Sequence, residues 1–197
     1  MIKRTVMAGV LAAGLVAGAT AADDEVLDSI GEGTDFYKNG EYAEAVTSLN
    51  YAVQLIQQKK GDVLKQILPE PLDGWEAQDA DSQAAGAAMF GGGVTAERRY
   101  RKGDSEITIR MITDSPMMQG VMMMFSNPMF ATSNGGKLER IGKQKAIVKY
   151  DEAGKSGDLQ MVVNNRFLVM VEGDDIARND LLDYARAIDM KKLAELP

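Results

Sequence analysis

Thioether sulfur is the softest ligand this sequence offers, and it is concentrated in one place. Seven of the thirteen methionines lie in the stretch TIRMITDSPMMQGVMMMFSNPMF, from Thr108 to Phe130. Such sulfur suits Cu(I). Met118 with Met122, and Met117 with Met124, recur at helical spacing and are the candidate metal ligands. Two other readings of the same side chains stand beside that one: packing in a core, or an adaptable groove for a partner or a lipid tail, with Met123 off to one side of the stripe. The chain has no histidine and no cysteine. The commonest general base, the commonest zinc ligand and the thiolate nucleophile are therefore absent. No G-x-S-x-G or S-x-x-K arrangement occurs, so no serine has a recognisable activating base. A carboxylate pair is the remaining route to hydrolysis, and sequence does not locate one.

The other charged and glycine-rich clusters divide in the same way. Arg98, Arg99, Arg101 and Lys102 form the one basic run. On a strand Arg99 and Arg101 share a face, where they suit an acidic partner or an anion; the same residues also fit a charged, solvated edge strand. Gly91-Gly92-Gly93 lacks the spacing of a dinucleotide loop. Gly154-Lys155-Ser156-Gly157 lacks the preceding glycine of a phosphate loop and reads as a hairpin turn. Glu172, Asp174 and Asp175 lack the ladder of a calcium loop. No cofactor and no catalytic residue is expected from these motifs.

The elements that must carry these residues follow from periodicity. Residues 24 to about 60 predict a helical hairpin broken at Asn39-Gly40, with Tyr42, Ala45, Val46, Leu49, Ala52, Val53 and Ile56 as the apolar stripe of its second helix. Gly61-Asp62 predicts its end, followed by a short helix over 63–68. Pro69 to Trp75 is a connector with two prolines and a glycine, and Trp75 is expected to cover one end of a sheet. Residues 79–93 read as a loop in which Met89-Phe90 could form a flap. A hairpin over 94–113 turns at Lys102-Gly103-Asp104, with Ile107, Ile109 and Met111 on one face. Ser115-Pro116 starts the methionine helix, and Asn127-Pro128 closes it. Its Met118, Met122 and Phe125 are expected to be buried. Strands follow at 138–141, 144–150, 159–163 and 166–171, the last two joined by Asn164-Asn165. Those two are apolar on both faces, which places them centrally in a covered sheet. A helix capped by Asn179 and lined by Leu181, Leu182, Ala185 and Ile188 ends the chain. The fold class is α+β: an N-terminal helical hairpin, then a mainly antiparallel sheet covered by helices.

Lys3 and Arg4, the small apolar run from Thr5 to Gly18, and Ala19-Thr20-Ala21 have the form of a secretory signal peptide. The expected organisation is therefore a leader over 1–21, a hairpin unit over 22–68, a connector over 69–75 and a sandwich domain over 76–197. Removing Lys3 and Arg4 takes the formal charge from −7 to −9. An acidic exported chain, expected in the periplasm, is a poor partner for nucleic acid or anionic lipid.

Gly33, Phe36, Gly40, Tyr42, Ala45, Leu49 and Ala52 give the hairpin a pattern that resembles one tetratricopeptide repeat. That resemblance implies a unit that stacks on something else, since one repeat does not bury its own face. Phe36, Tyr37 and Tyr42 are its candidate partner-binding residues, with Met123, Arg99 and Arg101 from the sheet domain. The order of elements after Leu68-Pro69 and Gly74-Trp75 resembles the PsbP-like α/β sandwich of exported accessory proteins. It implies a non-catalytic accessory or interaction protein with a protein partner in the cell envelope. Soft-metal or apolar-ligand binding at the methionine helix and a carboxylate-based hydrolase are the alternatives.

Overall fold

The computed structural model describes residues 24–83, 93–116, 118–126, 129 and 135–196. The leader, the Met89-Phe90 flap, Met117 and the Asn127-Pro128 stop lie outside these residues. Helices α1 (Glu25–Asn39) and α2 (Tyr42–Lys65) form the expected hairpin. The Asp24 carboxylate caps α1 by accepting from the Val26 N–H at 3.2 Å. Their seam is made of small residues, Ser29 and Gly33 on α1 against Ala45, Ser48 and Ala52 on α2. A Cβ on Gly33 would lie 2.8 Å from Cγ of Leu49, so glycine is what lets the helices approach this closely.

Gly61 does not end α2, contrary to the sequence expectation. The helix runs on to Lys65. A Cβ at Gly61 would stand 2.9 Å from the Cβ of Ser82, so this glycine makes room for a strand. That strand is β2 (Asp81–Gln83), which with β1 (Glu76–Ala77) pairs along β3 (Val94–Lys102). Both precede the region where the first strand was expected. They also mean that β3, with its basic run, is not an edge strand.

The remaining strands are β4 (Ser105–Thr113), β5 (Lys137–Ile141), β6 (Gln144–Asp151), β7 (Ser156–Val163) and β8 (Phe167–Asp174). Every pairing is antiparallel, in the order β1-β3-β4-β8-β7-β6-β5, with β2 also on β3. The doubly apolar strands β7 and β8 are central, as their composition requires. Asn164 and Asn165 take φ of 51° and 52° in the turn between them. The methionine helix α3 (Met118–Ser126) stands on the connection that must pass from β4 beyond β8, β7 and β6 to the far edge strand β5.

One face of the sheet carries the core. Ile107, Ile109 and Met111 of β4, Leu159 and Met161 of β7, and Val169 and Val171 of β8 are fully buried there. Helix α4 (Arg178–Ala187) lays Leu181, Leu182, Tyr184 and Ala185 on it, and α5 (Met190–Ala194) adds Leu193. Asn179 is not the cap of α4. The chain enters at Ala177, whose N–H donates to the Asp180 carboxylate at 3.0 Å. Trp75 is buried edge-on to Tyr184, ring centres 5.2 Å apart. Leu64, Ile67 and Leu68 belong to the same core cluster, so it is continuous from the end of α2 through the connector into the sheet. The Pro69 carbonyl accepts from the Tyr100 hydroxyl at 2.7 Å and from Arg98 at 3.1 Å, which ties the connector to β3.

Candidate functional site

Because the hairpin seam uses small residues, the large apolar ones are left outside it. At about 100° per residue, Leu27, Ile30 and Tyr37 share the flank of α1 next to the seam. Tyr42, Val46, Leu49, Val53 and Ile56 share a flank of α2. All eight are exposed. Polar contacts show which flanks go together. The Ser48 hydroxyl donates to Glu32 at 2.8 Å and the Tyr51 hydroxyl to Glu25 at 2.6 Å, so the opposite flanks of the two helices meet on the polar side. The apolar flanks therefore lie side by side on the other, where the Tyr37 and Tyr42 rings are 5.7 Å apart. The result is one continuous apolar face along the hairpin. Large exposed patches of this kind on a folded chain mark interaction surfaces.

Of the partner-binding candidates, Tyr37 and Tyr42 are on this face and Phe36 is half-buried beside the seam. Arg99 and Arg101 are exposed on β3, but each has an acidic neighbour: Glu97 at 3.4 Å and Glu106 at 2.8 Å. Arg98, on the core side, serves the connector instead.

The methionine helix differs from its expectation. No residue of α3 is buried. Met118, Met122 and Phe125 are half-buried, Met123 is 67% exposed and Met124 is also exposed. Periodicity identified the inward side correctly, but the helix meets its surroundings only along part of its girth. Met118 and Met122 lie within about 40° of each other around the axis, whereas Met124 is about 200° on from Met122. Met124, the described member of the second proposed pair, thus lies on a different side of the helix from Met118 and Met122.

A second feature was not legible in the sequence. A cleft of about 270 Å³ lies between the base of the hairpin and the end of the sheet, lined by Val26, Ile56, Val63 and Leu64 on one side and Thr113, Phe167 and Leu196 on the other. Asp24, Lys59, Lys60 and Arg166 complete it. These residues come from five separate segments, and no spacing rule connects them. Among the described residues, no group of three or more acidic side chains is placed to hold a metal ion, and no helix is long and apolar enough to cross a membrane. Compared with models of protein families, with curated proteins and with solved structures, the chain matches none of them.

Proposed function

We propose that the protein is an exported, non-catalytic accessory protein whose hairpin face binds a basic amphipathic helix of a protein in the cell envelope. The observation that carries this reading is the apolar face itself. Its eight large side chains stay exposed because the seam beneath them is already filled by Ser29, Gly33, Ala45, Ser48 and Ala52. A helix pair packed in this way, resembling one tetratricopeptide unit, offers its outer face for stacking. Tyr37 and Tyr42 provide rigid aromatic anchors of the kind that dominate interface energetics. Charge selects the partner. Residues 24–44 hold seven carboxylates and one lysine, so a helix with a basic border is attracted and an acidic one is repelled.

Photo-crosslinking tests this in the native envelope. A photoreactive residue at Val46 or Val53 is expected to give one discrete heterologous adduct that weakens as salt is raised, because the Debye length shortens. The same residue at Lys143, on the β5–β6 turn, should not give it. Val46→Glu should abolish the adduct without lowering the melting temperature, since Val46 is exposed. Equal adducts from both positions would contradict the reading. An adduct of twice the chain's own mass would replace it with self-association. The mass of the purified envelope form tests export, with Ala22 expected as its first residue.

A further inference from the structure

We propose that the helix received by the hairpin face is a heptad-repeat helix of three heptads, seated in a coiled-coil seam along α2; this rests on the helix-binding function proposed for that face. The spacing of the exposed residues defines the seam. Tyr42, Leu49, Ile56 and Val63 recur every seventh residue, and Val46, Val53 and Lys60 follow four residues after the first three. Steps of four and three thus alternate from Tyr42 to Val63. That is the alternation of a coiled coil, with Val46, Val53 and Lys60 at heptad position a and the other four at d. All six apolar members are exposed, whereas a stripe of this kind is buried when a second helix lies on it. Helix α1 carries the same alternation in Leu27, Ile30, Thr34 and Tyr37, again all exposed. The contact between α1 and α2 uses other positions, so the hairpin leaves both stripes open.

Two clefts at the foot of α2 have the form of holes in such a seam. A coiled-coil knob enters a hole made by four residues of the facing helix, which on one seam stand at i, i+3, i+4 and i+7. Val53, Ile56, Gln57 and Lys60 stand in that relation. They form the α2 wall of a cleft of about 220 Å³ bounded on its other side by Gly93, Val94 and Asp114. Ile56, Lys59, Lys60 and Val63 stand in it too, one step further along, and they line the cleft of about 270 Å³ at the hairpin base. The two sets share Ile56 and Lys60, as consecutive holes of one seam do. At about 30 Å³ per water-sized group, each cleft has room for the four carbons of a leucine side chain. At 1.5 Å per residue the stripe from Tyr42 to Val63 is about 32 Å long, which sets the occupant at three heptads.

A synthetic helix tests this on the purified chain. The probe has three heptads with valine at a, leucine at d and lysine at e and g, so that like charges keep it from pairing with itself. A second peptide of the same composition has the two apolar residues of its middle heptad moved one position along, about 100° out of line. Fluorescence anisotropy is expected to show one-to-one binding of the first peptide and at least tenfold weaker binding of the second. Val53→Asp, at position a, should weaken the first peptide at least tenfold, whereas Gln54→Asp, the same new residue one position along, should leave it unchanged. Both positions are exposed, so both variants should keep the fold. No binding, equal affinity for the two peptides, or equal loss in the two variants would overturn the heptad seam. The Val46 adduct separates that failure from failure of the underlying function, which falls only if the adduct is absent too. A dimer of the chain that Val53→Asp returns to monomer would put a second copy in the seam and overturn the proposal as well.

Discussion

Tyr100 and Tyr184 meet in the core with ring centres 4.5 Å apart, and both have polar work to do there. The Tyr100 hydroxyl donates to Pro69, and that of Tyr184 accepts from the Leu72 N–H at 3.4 Å. Burial raises both phenols, that of Tyr184 to about 12 and that of Tyr100 further. A raised acid favours its protonated form in the folded chain. Their contribution is thus fully present below the unfolded value of about 10 and is lost as pH climbs through the folded values. Melting temperature should fall steeply above about pH 10, and an ultraviolet titration should show two of the six tyrosines ionising only as the fold is lost. Ionisation of all six before any loss of helix signal would contradict the burial. Sulfur gives a second test at this scale. Peroxide should oxidise Met123 and Met129 first, at 67% and 78% exposure, and Met111 and Met161 last, since both are fully buried. Peptide mass spectrometry of a time course reads the order; Met111 oxidising as fast as Met123 would refute it.

Side-chain size, rather than hydrophobicity, decides how the hairpin element is built. The sequence stripe of α2 contains Ala45 and Ala52 together with Val46, Leu49 and Val53, and periodicity treats them as one face. In the structure Ala45 and Ala52 form the seam, Leu49 lies over Gly33 at its border, and Val46 and Val53 look outward. Glycines show the same limit. Gly61 reads as a helix breaker because its cost is local, yet here it serves a tertiary approach to Ser82 that local rules do not register. The alternation of Ile107, Ile109 and Met111 and the Asn164-Asn165 turn were legible because their causes are local too. The two-residue β1 and three-residue β2 are too short to show a period. Substitution separates these roles. Gly61→Val should destabilise by about 1–3 kcal/mol, because the added atoms meet Ser82. Gly31→Ala, where a Cβ meets nothing within 4 Å, should stabilise by about 0.5–1 kcal/mol. Urea unfolding measures both, and similar effects at the two positions would show that propensity alone governs the glycines of the hairpin helices.

At the scale of the whole molecule, the described residues form one continuous core with an exposed apolar flank on the hairpin. The sheet, α4, α5 and the end of α2 satisfy one another, whereas the hairpin satisfies only its seam. The central claim is that this flank is exposed in the isolated protein and covered in the envelope. Hydroxyl-radical footprinting tests it directly, because the tyrosines provide their own control. Tyr37 and Tyr42 are 65% and 64% exposed on the apolar face, and Tyr51 is 45% exposed on the polar side. All three should react in the purified chain. In intact envelopes Tyr37 and Tyr42 should become protected while Tyr51 remains reactive; equal modification of Tyr37 and Tyr42 in both states would contradict the account.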